Sequence, residues 1–248
     1  METQKLKVDL KTASIGEMVA DDYRKAEVFK KFGIDFCCGG KQSLDDTCSK
    51  KGINANEVWH ALNELGEPNQ PHPTHDFNKW ALDKLVDYIL DTHHKYVKET
   101  IPQLDMYSAK VASVHGENHP EVIKIAKYYD SVANELRMHM YKEEAILFPY
   151  IVQMAEANRT GAHFSAPGFG TISNPINMME AEHEVVGETM RDIAELSNNY
   201  TPPAEACNTY RVLYAKLQEF ENDLHQHIHL ENNILFPAAI QLEQQLIS

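Results

Sequence analysis

A chain of 248 residues with 43% hydrophobic content can bury the core of one medium domain, or of a small domain beside a larger one. Its 23 Lys and Arg face 37 Asp and Glu, a formal net charge of -14, so the long-range field repels nucleic acid and anionic membranes and leaves proteins or cations as expected partners. No apolar run approaches the roughly 20 residues of a membrane span. The N-terminal METQKLKVDLKTAS lacks the apolar core of a signal peptide, and four cysteines, two of them adjacent, do not form a secreted disulfide framework; the expected location is cytoplasmic.

The first 66 residues read as short helices separated by breakers. Ser14 with Glu17, Ser43 with Asp46 and Asn54 with Glu57 each place a capping side chain three residues before an acid, and Gly33, Gly52 and Gly66 stand where helices should stop. Between the second and third helices lies IDFCCGGKQS, whose paired glycines rule out a regular helix and leave Cys37 and Cys38 on a loop. Residues 67–75, proline-rich and polar, suit a semi-rigid linker. From residue 76 to 248 four long stretches of helical periodicity follow, at about 76–114, 120–157, 175–199 and 204–246. Their connections predict an all-α chain whose second domain is an antiparallel up-down four-helix bundle.

The second and fourth stretches repeat one motif. HMYKEEAILFP at 139–149 and HIHLENNILFP at 227–237 share H-x3-E-x2-I-L-F-P. In each the pair lies on the apolar stripe: Val132, Leu136, His139, Glu143, Ile146, Leu147 and Tyr150 in one, Leu213, Phe220, Leu224, His227, Glu231, Ile234 and Leu235 in the other. Buried ionisable groups need compensation. One form is a His–Glu hydrogen bond within the protein; the repeat and two further histidines favour another. The third stretch adds His183 on a helical face, and the first adds His93-His94. The separations His94 to His139 and His183 to His227 are 45 and 44 residues, so each helical hairpin carries His…His-x3-Glu, and two such sets imply two metals. Four imidazoles with two carboxylates suit iron, manganese or zinc better than calcium or magnesium, and two carboxylates able to bridge favour iron.

Residues 76–248 resemble a hemerythrin-like domain. With GIDFCCGGKQ at 33–42 and both H-x3-E motifs, the whole chain resembles the di-iron iron–sulfur cluster repair proteins, the Repair of Iron Centres family. The resemblance implies two non-haem iron ions, carboxylate-bridged and open to an oxo bridge, with protection of iron–sulfur enzymes after nitric oxide or peroxide stress and iron donation to damaged or nascent clusters. It implies His94, His139, Glu143, His183, His227 and Glu231 as ligands, with Glu143 and Glu231 bridging. Periodicity alone also admits His93, on the line of Val86, Ile89 and Val97; the family pattern favours His94.

Around this constellation, Glu135 and Glu182 are candidates to support the ligands or relay protons, with a solvent-facing role the alternative. Glu144, His225 and His229 are expected to face outward. Pro149 and Pro237 are expected to kink their helices. Adjacent cysteines in a glycine loop are poorly placed for core packing, so Cys37 and Cys38 are read as redox or metal-transfer thiols that Cys48 could join, whereas Cys207 stands alone. Three functions remain in view: cluster repair with iron–sulfur proteins or an assembly scaffold as partners, reduction of nitric oxide to nitrous oxide, and sensing or binding of O2 or NO. Monomer and homodimer through the N-terminal domain are both open.

Overall fold

The computed structural model describes residues 13–66, 76–164, 168 and 170–247. The expected linker at 67–75 lies outside the described residues, which are helical throughout apart from turns and one isolated antiparallel bridge, Ser14 to Ser43. The chain forms two compact units. The first contains residues up to Ala81 together with Ile228–Ala238; the second contains Leu82–His227 and Ala239–Ser248. The boundary thus differs from a simple cut in the linker, because eleven residues of the last helix group with the N-terminal helices.

In the first unit the helices are α1 (Ile15–Asp21), α2 (Lys25–Lys31), α3 (Leu44–Lys51) and α4 (Ala55–Glu64). Ser14 and Glu17 form a reciprocal capping box on α1, Ser43 accepts from the Asp46 amide, and Asn54 accepts from the Asn56 amide; such caps contribute about 1 kcal/mol each. Gly33, Gly52 and Gly66 have positive φ at the helix ends. Arg24 donates to the carbonyls of Leu65 and Gly66 just beyond α4, supplying a cation where carbonyls are orphaned. The core gathers Ile15, Met18, Phe29, Leu44 and Val58, and Ile228 packs into it.

The second unit is the expected four-helix bundle. Its helices run through α5 (Leu82–Tyr88) and α6 (Lys95–His115), then α7 (Pro120–Lys142) and α8 (Phe148–Thr160), then α9 (Ser173–Leu196), and finally α10 (Asn208–Leu230) and α11 (Phe236–Ile247). Their apolar stripes form a core that includes Leu104, Tyr129, Leu136, Met190, Tyr210 and Phe220. At one end the buried Glu243 accepts from Tyr150 Oη, Thr171 Oγ1 and the Ile172 amide, which anchors the start of α9 to α11.

Within the first unit the CCGG loop is held from two sides. Two amides at the start of α1 donate into it, Ile15 to Gln42 O and Gly16 to Gly40 O at 2.9 and 2.7 Å. Asn233, from the Ile228–Ala238 segment, donates to the carbonyls of Phe36 and Cys37 at 3.3 and 3.1 Å. A Cβ on Gly16 would stand 2.2 Å from Asn233 Oδ1 and 3.1 Å from Gly40 O. Gly16→Ala is therefore predicted to destabilise the protein by about 1–3 kcal/mol through overpacking. Most of that loss should disappear in an Asn233→Ala background, because the approaches under 3 Å are all to that side chain. A double-mutant cycle by denaturant unfolding checks this; additive effects would show that the two residues do not meet.

Candidate metal centre

Three of the four bundle helices contain a π-helical turn, and each turn begins or ends on a candidate ligand. His94 closes Ile89–His94, Glu143 opens Glu143–Leu147, and Glu231 opens Glu231–Leu235. Each turn inserts a residue and so rotates the downstream residues about the helix axis. Leu147 is consequently buried while Ile146, expected on the core stripe, is 48% exposed. Pro149 and Pro237 are the second residues of α8 and α11, so a widened turn directly precedes each proline.

His94, His139, Glu143, His183, His227 and Glu231 are all buried. They form two groups, His94 with His227 and His139 with His183, and both groups share Glu143 and Glu231; within each group one ligand atom per residue lies within 4.8 Å of the others. This corrects the hairpin-by-hairpin sets expected from spacing: the histidines pair across hairpins, while the carboxylates are common to both positions. His94 Nε2 and His139 Nε2 each stand 3.3 Å from Glu143 Oε2, and the Nε2 atoms of His139 and His183 are 2.9 Å apart.

The outward nitrogens explain this orientation. His139 Nδ1 is 2.9 Å from Glu182 Oε2, and His94 Nδ1 is 2.8 Å from Glu144 Oε1. A carboxylate at Nδ1 holds the proton there, so the Nε2 lone pair is presented inward. The His139 hydrogen bond, with Lys142 beside it, keeps the Glu182 carboxyl below its usual range. Burial pushes Glu144 up, but hydrogen bonds from Lys98 and His94 outweigh it and leave that carboxyl lowered as well. Such imidazoles and shared carboxylates fit a pair of divalent transition-metal cations, and His94, His227, His139, His183, Glu143 and Glu231 would hold them.

Several residues stand elsewhere than the sequence suggested. Glu144 is a supporting carboxylate, its partner His94 lying on another helix where spacing gives no signal. Glu135 is half-buried and belongs to neither group. His93 is as buried as His94 but outside both groups: its Nδ1 meets Asp223 at 2.9 Å and its ring stacks parallel on His227. His229, expected outside, is 1% exposed, because this part of the last helix is enclosed by Tyr23 and Phe36. Its Nδ1 meets the Asn233 amide group, and burial pushes its pKa down to about 4.

In the loop, Cys37 is 4% exposed and packs in the hydrophobic core, contrary to the expectation for a glycine-loop cysteine. Asp35 Oδ1 accepts from the amides of Cys37 and Cys38, both at 3.0 Å, and from the Cys37 thiol. The Cys38 contact, burial and the Asp35 carboxylate push the Cys37 thiol well above its usual range. Cys48 is core and does not join this group, and Cys207 is exposed, 3.1 Å from His115 Nε2.

Replacing Glu182 or Glu144 by Gln leaves every candidate ligand in place but removes the charge behind an imidazole. Each change is predicted to weaken cation binding about 10- to 100-fold. His139→Ala combined with His227→Ala removes one imidazole from each position and should strip both. Metal content per chain after dialysis against a graded chelator checks both predictions; full retention in the double variant would return these histidines to the role of internally satisfied core residues.

Residues 85–239 match the Hemerythrin HHE cation binding domain, and residues 11–66 match a domain of unknown function. The chain is similar to the iron-sulfur cluster repair protein YtfE of Yersinia pestis (strain Pestoides F), 37% identical over 237 residues that cover 95% of this chain and 100% of the relative. Its likeness to the protein of the same name from Yersinia pseudotuberculosis serotype IB (strain PB1/+) is 36% over the same extents. The bundle, its buried His and Glu groups and these end-to-end similarities agree: the chain belongs to the hemerythrin HHE cation-binding family, in the two-part form it shares with proteins named for iron-sulfur cluster repair.

Proposed function

We propose that the protein repairs iron–sulfur clusters damaged by oxidative or nitrosative stress, and that it does so as a di-iron protein that supplies iron. The observation that carries the di-iron reading is the pair of cation positions sharing Glu143 and Glu231, each with two imidazoles. Imidazole and carboxylate donors suit iron and leave it more exchangeable than a thiolate cage. Support for repair comes from relatives of that name aligned over nearly the whole chain, N-terminal domain included.

His94, His139, His183 and His227 would bind through nitrogens oriented from behind, and Glu143 and Glu231 would bridge. Glu182 and Glu144 accept the outer Nδ1 protons of His139 and His94, so those rings are oriented with Nε2 toward the cation positions. The thiols Cys37 and Cys38 serve redox or transfer steps toward the recipient, an iron–sulfur protein or an assembly scaffold. Among the described residues no helix is long and apolar enough to cross a membrane, and we place the protein in the cytoplasm.

A second reading arises from the same shared carboxylates, which bring the two cation positions together. Iron bound as a ferrous pair supplies two electrons, which with two protons suffice to convert two molecules of nitric oxide into nitrous oxide and water.

Reactivation of a nitric oxide-damaged [4Fe–4S] enzyme by the purified protein, followed together with iron content and nitrous oxide release, separates the readings. Repair predicts recovery of the client with loss of iron from the protein, and a loss of recovery in Cys37→Ser/Cys38→Ser, whose bundle iron is unchanged. Nitrous oxide release at full rate in that variant, with iron retained and no recovery by the unaltered protein, would replace repair by nitric oxide reduction.

A further inference from the structure

We infer that Asp35, Cys37 and Cys38 form a separate binding site for one thiophilic divalent cation, ferrous iron or zinc, with one coordination position left open. One ligand atom from each of the three residues lies within 4.8 Å of the others. The two Sγ atoms are 3.9 Å apart. Two sulfurs bound at about 2.3 Å in a tetrahedral shell stand about 3.8 Å from each other, so the loop already holds the thiols at the spacing of a chelate. A disulfide needs about 2.05 Å, far closer than the spacing the loop maintains. Asp35 Oδ1 is 3.2 Å from Cys37 Sγ, near the roughly 3.5 Å edge between an oxygen and a sulfur in such a shell.

The loop is built to keep this spacing. The Cys37 and Cys38 amides fix the Asp35 carboxylate, α1 donates to Gly40 O, and Asn233 holds the Phe36 and Cys37 carbonyls. A Cβ on Gly39 would stand 2.8 Å from Asp35 O, and one on Gly40 would stand 2.4 Å from Asn233 Oδ1. Both glycines are thus required by close approach, and the ligands are preorganised by backbone contacts rather than by the cation. Cys37 is buried while Cys38 and Asp35 are part-exposed, so the open position faces out on their side. Two thiolates and a carboxylate carry three negative charges against two on the cation. A three-ligand shell of this kind retains a cation while admitting a further thiolate from a recipient. This deepens the repair reading by giving its thiols a cargo, and rests on that reading for its purpose but not for its chemistry.

The test is an anaerobic titration with Co2+ of the full-length protein holding two irons per chain, with any further iron removed by a mild chelator beforehand, followed by thiolate-to-cobalt charge-transfer absorption, which imidazole and carboxylate ligands in the bundle do not produce. One equivalent per chain is expected, with the band reduced to about half in Cys37→Ser and in Cys38→Ser, absent in the double variant, and unchanged in Cys48→Ala/Cys207→Ala. Asp35→Asn should keep the band but weaken binding about tenfold or more, at least the loss typical of a carboxylate that only supports a metal ligand. No band in the unaltered protein, or a band surviving Cys37→Ser/Cys38→Ser, overturns the site; unchanged affinity in Asp35→Asn overturns the three-ligand assignment. Because the unaltered protein is itself an arm, misfolding of a variant does not shelter the idea. Failure of cluster reactivation with a normal cobalt band would sink the repair reading alone, and the reverse result would sink the cation site alone.

Discussion

Glu143 and Glu231 have no solvent exposure, and the requirement to compensate those two carboxylates governs the interior around them. An uncompensated buried charge is unfavourable by several kcal/mol. Here the surroundings are four imidazoles, at least two of which, His94 and His139, stand 3.3 Å from Glu143. These imidazoles are in turn held by Glu144 and Glu182, and those carboxylates by Lys98 and Lys142. Charge therefore alternates outward from the centre: carboxylate, imidazole, carboxylate, ammonium. That alternation fixes the rings of His94 and His139 from behind and turns their Nε2 atoms toward the shared Glu143.

The bundle has to bring these ligands together and keep its hydrophobic stripes buried. The π-helical turns at His94, Glu143 and Glu231 reconcile the two demands by inserting a residue just where the ligands occur. Beyond Glu143, Leu147 stays buried while Ile146 turns out to solvent, and Pro149 follows the widened turn directly. In the second copy Ile234 and Leu235 are both buried, so the repeated ILFP tail follows a widened turn each time while its burial differs between the two helices.

In the N-terminal unit the constraint is contact distance rather than charge. Asn233 approaches so closely that Gly16 and Gly40 admit no side chain, and in exchange its amide satisfies two carbonyls of the cysteine loop. His229, one turn earlier on the same helix, is buried among Tyr23 and Phe36 for the same reason. A loop with two glycines would ordinarily be adaptable; these contacts make it a fixed support for Asp35, Cys37 and Cys38.

Much of this was legible in the chain itself. Helical periodicity, capping boxes and terminal glycines are local effects, so they marked the small helical unit and the four long helices, and the repeated H-x3-E identified the residues that would face inward because positions four apart share a helix face. Which histidine shares a position with which was not local: spacing paired His94 with His139, whereas the packing of neighbouring helices groups His94 with His227 and His139 with His183. The same holds for Glu144, which a helical wheel sends outward yet which meets His94 from a different helix, and for His229, which such a wheel leaves in solvent but the N-terminal unit encloses. Sequence by itself determined the donors and the helices that bear them, through short-range periodicity; tertiary structure decided their partners, because a partner is set by distances between segments far apart in the chain.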